Sequence, residues 1–186
     1  KMIGVLAVQG NFNNHIKCLN RLNVDSREIK EPYELNECSG LIIPGGESSV
    51  IIKMIYNNKL DNAIIEFSKK HPIIGFCAGL IVLSKTIINN HKPLEILDIH
   101  IERNSYGSQF YSFSKKIFIN SSIGDYVNAT FIRAPKIINC NRDIEVLATY
   151  DNNPILIKYL NTFGCTFHTE FVIDNPIHKF FVNTVY

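Results

Sequence analysis

No long run of basic residues occurs in this chain. Its 19 Lys and Arg against 17 Asp and Glu leave a formal charge of only +2 over 186 residues. So small a charge gives no electrostatic reason to bind nucleic acid or an anionic membrane, and neither is expected as a partner. Long hydrophobic runs are missing too. A membrane span needs ~20 consecutive apolar residues, and the apolar start over residues 2–8 is closed at once by Gln9-Gly10. That start has neither the basic flank nor the small-residue cleavage site of a secretory signal. Cysteine is present, but not as a disulfide framework. Cys18, Cys38, Cys77, Cys140 and Cys165 make an odd set without a C-x-x-C pair. This usage suits a reducing compartment, so a cytoplasmic location is expected. No His, Cys and Asp residues show metal-ligand spacing, so neither metal nor cofactor is expected. With no repeat, linker or low-complexity tract, residues 1–186 are expected to form a single domain.

Hydrophobic residues make up 46% of the chain and charged residues 19%, the balance of a globular protein. Short β-rich runs alternate with helical patterns through the first half. Strands are expected at 2–8, 25–29, 41–43 and 73–76. Phe12, Ile16, Leu19 and Leu22 form a helical stripe, and helices are expected again at 48–56, 60–70 and 78–85. The second half reads mostly as strands, at 96–101, 116–119, 130–133, 145–150, 155–159 and 165–168. Residues 176–186 close the chain as an amphipathic helix with Pro176 in its first turn. The alternation predicts an α/β fold, a three-layer sandwich whose central, mostly parallel sheet is flanked by helices.

Gly75-Phe76-Cys77-Ala78-Gly79 has the form G-x-[Ser/Cys]-x-G between a predicted strand and a predicted helix. This is the pattern of a nucleophile elbow, a strained turn that lifts the middle side chain off the sheet edge. The glycines remove Cβ atoms where strand and helix crowd together. A thiol at the start of a helix feels the positive end of its dipole, which favours the thiolate. The Ala78 amide is placed to help hold an oxyanion. A buried structural role is the usual fate of a free cysteine, and it is the reading for Cys18, Cys38 and Cys140. The flanking glycines reverse it for Cys77.

A thiol nucleophile needs a base, and the base needs an orienting group. His15 and His178 fall in predicted helices, His71 and His91 in polar stretches and His100 in a strand, none with a carboxylate two residues away at a strand end. His168 has one, in Thr166-Phe167-His168-Thr169-Glu170. Residues i and i+2 of an extended chain share a face, so Glu170 is expected beside His168, fixing its tautomer. Upstream, Leu41-Ile42-Ile43-Pro44-Gly45-Gly46-Glu47-Ser48 is a buried strand running into a glycine turn and a helix start. There Ser48 reads as the N-cap, and Gly45 and Gly46 let backbone amides approach a ligand.

In this order, P-G-G-E-S, G-x-C-A-G and F-H-x-E resemble the class I, triad-type glutamine amidotransferases, which have a flavodoxin-like fold. Val8-Gln9-Gly10, Glu102-Arg103-Asn104-Ser105-Tyr106-Gly107-Ser108-Gln109 and Phe131-Ile132-Arg133-Ala134-Pro135 narrow the match. They resemble the glutaminase subunits of pyridoxal 5′-phosphate synthase, the PdxT/YaaE/SNO family, over nearly the whole chain. The resemblance implies Cys77 as nucleophile, His168 as base and Glu170 as its orienter. It implies that Gly46, Glu47 and Ser48 contact L-glutamine, with the Gly46 amide joining Ala78 in the oxyanion hole. Arg103, Ile132 and Arg133 would complete the pocket, a guanidinium suiting the α-carboxylate because its fork bonds both oxygens. The implied partner is a PdxS/SNZ-type synthase chain that consumes the ammonia, with glutaminase activity low until it docks. Two positions depart from the family pattern: Phe76 stands where Thr is usual, and Thr169 where Pro is usual.

Three other readings remain at this level. The G-F-C-x-G elbow also resembles cysteine α/β-hydrolases, but those carry their acid between nucleophile and histidine. A glutaminase of another complex, such as the imidazole glycerol phosphate synthase type, shares the triad but not the E-R-N-S-Y-G-x-Q and I-R-A-P segments. A degenerate glutaminase kept as a docking subunit would not need an intact triad.

Overall fold

The computed structural model describes residues 2–103, 112–173 and 175–186. The expected Asn104–Gln109 part of the second-half motif therefore lies outside the described residues. Eleven strands and five α-helices follow one another as β1 (Met2–Leu6), α1 (Phe12–Arg21), β2 (Ser26–Ile29), β3 (Cys38–Ile43), α2 (Ser48–Asn57), α3 (Leu60–Ser68), β4 (Ile73–Phe76), α4 (Ala78–Leu83), β5 (Ile99–Glu102), β6 (Ser112–Phe118), β7 (Tyr126–Ile132), β8 (Lys136–Cys140), β9 (Glu145–Tyr150), β10 (Asn153–Tyr159), β11 (Thr162–Cys165) and α5 (Pro176–Val185). A 3-10 turn, Pro32–Glu37, joins β2 to β3.

Seven strands form the central sheet in the order β2-β1-β3-β4-β11-β10-β9. The pairings from β2 through β11 are parallel, and β10 and β9 close the edge antiparallel. Side chains of the inner strands alternate between two cores, as the two-residue period of a strand requires. Leu41, Ile43 and Ile73 face α2, α3 and α4. Ile42, Ile74 and Phe76 face the other way, toward α1 and α5. This is the expected three-layer α/β sandwich. Parallel strands covered on both faces are near-continuously apolar, which is why residues 2–6, 41–43 and 73–76 are legible as strands without alternation.

The second half departs from expectation in its boundaries. β5 and β8 pair with each other, and so do β6 and β7, as two small antiparallel ribbons apart from the main sheet. β8 is a strand that the sequence reading missed. Its residues Lys136-Ile137-Ile138-Asn139-Cys140 bury chiefly Ile137, too little pattern to stand out. The last sheet strand ends at Cys165 rather than at residue 168. After a bend, His168 makes a single bridge with Thr130 of β7. Ser48 is the first helical residue of α2 and not its cap. Glu47 holds the N-cap position, with no side-chain capping bond. Among the described residues no helix is long and apolar enough to cross a membrane.

Candidate active site

Sheets of this order leave a crevice at the carboxyl ends of their strands, and the chemistry-bearing residues gather there. β1, β3, β4 and β11 are consecutive neighbours. The chain leaving them carries Asn11, Gly45-Gly46, Cys77 and His168, all of which line one cleft of about 390 Å³. Glu47, Ser48, Ala78, Ile81, Arg103, Ile132, Arg133 and Phe171 complete its lining. Every residue expected to touch glutamine is among them, and the volume is that of a small-molecule site.

Cys77 sits between β4 and α4 with φ 50° and ψ −104°, a conformation costing a non-glycine residue on the order of 1–3 kcal/mol. Its surroundings hold it there. The Cys77 amide donates to the Cys165 carbonyl at 2.7 Å, and its own carbonyl accepts from Leu80 at 3.1 Å. A Cβ on Gly79 would lie 2.2 Å from the Ile43 carbonyl oxygen, so only glycine lets the elbow pack against β3. Sγ reaches the Ile132 carbonyl at 3.8 Å and shares the cleft with the His168 imidazole.

His168 is held on both sides. Its amide donates to the Thr130 carbonyl at 2.7 Å and its carbonyl accepts from the Thr130 amide at 3.0 Å. Its Nδ1 lies 2.6 Å from Glu170 Oε1, which leaves Nε2 for the thiol. The pair meets because the chain turns at Glu170, not through the two-residue repeat of a strand. Burial disfavours the charged imidazole, but the Cys77 and Glu170 partners outweigh it and push His168 up to about 10. Burial likewise acts against the Glu170 carboxylate. The hydrogen bond from His168 and the charge around it nevertheless hold Glu170 well below the usual carboxylate range. Two more donors fix it: Asn11 Nδ2 to Oε1 at 2.6 Å and the Thr169 amide to Oε2 at 2.9 Å. A proline at position 169 would have no amide to give.

The other four thiols lie outside the cleft. Burial raises Cys18, Cys38 and Cys140, Cys38 to about 11, and raises Cys165 well above its ordinary value. These are the structural thiols of the set.

Opposite the triad, the Gly45 carbonyl accepts from the Asn11 amide at 3.1 Å. Gln9 Oε1 accepts from the Glu47 amide at 2.9 Å. Gly10, at φ +97°, passes so close that a Cβ there would stand 2.2 Å from the Gly45 oxygen. Glu47 Oε1 and Arg103 Nη2 pair across the cleft mouth at 3.3 Å, both partly exposed. Sequence reasoning missed Asn11, whose signal was its place directly after Val8-Gln9-Gly10, and Phe171, which carried none. Phe76 is buried on the sheet face turned from the cleft, so its departure from the family pattern does not alter the cleft lining.

A crystal structure of a glutamine amidotransferase superposes on this chain with a TM-score of 0.93, 30% identity and 98% of each chain covered. Fold and site thus define the class as glutamine amidotransferase. The model of the SNO glutamine amidotransferase family matches residues 5–186, and the chain belongs to that family. A relative from Thermotoga petrophila, named pyridoxal 5'-phosphate synthase subunit PdxT, is 40% identical over 185 residues, covering 98% of both chains. A protein of the same name from Francisella philomiragia is 36% identical over 181 residues, covering 97% of both.

Proposed function

We propose that this chain is the glutaminase subunit of a pyridoxal 5′-phosphate synthase, one amidotransferase domain over residues 1–186, hydrolysing L-glutamine to glutamate and ammonia. The observation that carries the reading is that His168, with Nδ1 2.6 Å from Glu170 Oε1, lines the same cleft as Cys77, Glu47, Arg103 and Arg133. The Cys77 thiolate attacks the side-chain amide carbon of glutamine. Amides of Ala78 and Gly46 receive the oxyanion. The His168 imidazolium protonates the departing nitrogen, and ammonia leaves a glutamyl thioester. His168, now neutral, takes a proton from water as the oxygen attacks the thioester carbon, and C–S cleavage releases glutamate and restores the Cys77 thiolate beside the His168 imidazolium. Glu170 fixes the His168 tautomer throughout. The substrate α-carboxylate and α-ammonium compete for Arg103 and Glu47, exchanging an exposed ion pair for two of the same kind. Ser48, Ile132 and Arg133 line the rest of the glutamine site.

Ammonia in water at neutral pH is mostly protonated and lost, so its release is useful only beside a consumer. Relatives named as synthase subunits support a PdxS/SNZ-type chain as that partner. A cytoplasmic location fits five unpaired cysteines. The test is glutamate release with and without the synthase chain. Wild type with partner should turn over, and Cys77→Ala should lose at least ~10³-fold. Equal release by the two proteins would refute the assignment.

A further inference from the structure

Behind Glu170, on the side away from the cleft, lie two imidazoles that glutamine hydrolysis does not use. His15 on α1 is fully buried, and His178 on α5 is 1% exposed. Their ring planes are inclined by 25° with centroids 5.1 Å apart, so the rings meet edge to edge. His15 Nδ1 lies 2.9 Å from His178 Nε2, and His15 Nε2 stands 3.8 Å from Glu170 Oε1. Phe76 packs on both, 4.8 Å from His15 and 5.2 Å from His178. Neither ring lines the cleft. His178 instead borders a cavity of about 200 Å³ between α1 and α5.

Burial drives both rings to the neutral form, lowering His15 to about 4 and His178 to about 3. A neutral imidazole has one N–H, so the protons of the pair are assignable. With hydrogen on His15 Nδ1, a bare lone pair on Nε2 would face the Glu170 carboxylate. His178 would then carry its hydrogen on Nδ1, which has no partner among the described residues and meets only the cavity. With hydrogen on Nε2 of both rings, His178 donates to His15 and His15 aims its N–H at the carboxylate. The atom left open is then His178 Nδ1, an acceptor beside the cavity, where water can donate to it. Water can serve that atom in either arrangement, so the carboxylate facing His15 Nε2 decides, and the second wins.

We propose that His15 and His178 are positioning residues for the triad, a directional imidazole pair that holds Glu170 Oε1 beneath His168 by aiming an N–H at it from behind. The inference rests on the glutaminase reading above and extends its machinery to α1 and α5. A separation of 3.8 Å exceeds a hydrogen bond, so the contact acts by orientation of the N–H dipole and closes to a bond with a small shift of either group.

The experiment compares the full chain with its synthase partner as wild type, His15→Phe, His15→Gln and His178→Phe. His15→Phe should lower kcat roughly threefold to tenfold, less than a full charged hydrogen bond because the contact is longer than one, with KM within about twofold. His15→Gln, whose carboxamide N–H can still face Glu170, should recover most of that loss. Long-range ¹H–¹⁵N spectra of wild type at pH 7 should show both rings as Nε2–H tautomers. The downfield His168 Nδ1–H resonance should move in His15→Phe. An Nδ1–H tautomer on His15, or a His15→Phe protein with unchanged kcat and an unmoved resonance, overturns the proposal. So does an equal kcat loss in His15→Gln and His15→Phe, which marks a merely structural role. If His15→Phe does not fold, the glutamine variant and the wild-type tautomers decide. Should wild type with partner release no glutamate, the glutaminase reading fails, while the spectra still report whether the pair holds Glu170.

Discussion

The two walls of the cleft are built by different means. One wall comes from residues 2–83 and from the stretch after β11 that carries His168 and Glu170, where parallel strands end side by side and glycines bring backbone within touching distance of backbone. The other comes from residues 99–140, where Arg103 follows β5, Ile132 ends β7 and Arg133 comes next, on two ribbons outside the main sheet. On the proposed reading, the first wall carries the groups that react, with Glu47 and Ser48 beside them, and the second carries Arg103, Ile132 and Arg133, which recognise. The Thr130–His168 bridge fastens one to the other by two backbone bonds. Rigid placement of a nucleophile needs crowding on every side. Recognition of a charged amino acid needs reach, which long side chains on a ribbon end supply. Changes in the first wall should therefore strike stability and kcat, and changes in the second should strike KM.

The largest effect is expected at Gly79. An alanine Cβ there meets the Ile43 carbonyl at 2.2 Å, and neither the end of β3 nor the start of α4 can yield without moving the elbow. Gly79→Ala should cost roughly 3 kcal/mol or more despite better helix propensity, lowering Tm by ~6–12 °C in a thermal melt. Ile138→Ala on β8, at a residue 59% exposed, should shift stability by less than about 0.5 kcal/mol. Similar losses for the two would erase the contrast between the walls.

A smaller effect follows from pH. His15 and His178 are held neutral, so below about pH 6.5 the unfolded chain takes up protons that the folded one refuses, and stability falls with pH. Glu170 is depressed, so its contribution is present above its ordinary pKa of 4.5 and is also lost on acidification. His168 is raised to about 10; its contribution is complete below 6.5 and drains as pH climbs through 10. Tm should therefore peak near pH 6.5 and drop on the order of 5 °C by pH 9. Glu170→Gln should flatten that alkaline limb. A Tm still rising between pH 6.5 and 9 would contradict the imidazolium at His168. None of these four groups lies on the recognition wall.

What could be read from the sequence divides along the same line. Residues 41–48 and 73–79 announce strand, turn, helix and nucleophile within a few positions, because local crowding demands specific residues there. His168 and Glu170 were legible as a pair, though for an imperfect reason: the strand stops at Cys165, and a turn brings the two together. β8 and the pairing of β5 with β8 were not legible, since register across some 35 residues is set by packing rather than by neighbours. Asn11, His15 and His178 were hidden for another reason. A polar residue on a buried helix face looks like surface until the fold shows what it faces. The stripe read on α1 through Phe12, Ile16, Leu19 and Leu22 misses that His15 and Cys18 are more deeply buried than Phe12 or Ile16.

On the recognition wall, Arg103→Lys and Arg133→Lys should each raise the KM for glutamine roughly tenfold with kcat within about threefold. An ammonium keeps the charge but loses the two-pronged geometry. Steady-state kinetics with the partner chain check this. A kcat loss exceeding the KM change would place these arginines among the reacting groups and dissolve the division of labour.

The smallest effect is expected at Thr169, on the seam between the walls. Its amide is the donor to Glu170 Oε2 at 2.9 Å, and Thr169→Pro removes it. Oε1 keeps both His168 Nδ1 and Asn11 Nδ2 at 2.6 Å, so the oxygen that faces the base stays anchored. The residue before a proline prefers extended backbone, which His168 already has in its bridge to Thr130. The change also deletes a buried hydroxyl with no hydrogen-bond partner among the described residues, which offsets part of the lost bond. The expected outcome is a two- to fivefold fall in kcat, given roughly half of one charged hydrogen bond, with KM and Tm nearly unchanged. A fall of a hundredfold would mean that Oε2 is the principal anchor. The orientation of Glu170 would then depend on the turn at 168–170 more than on α1.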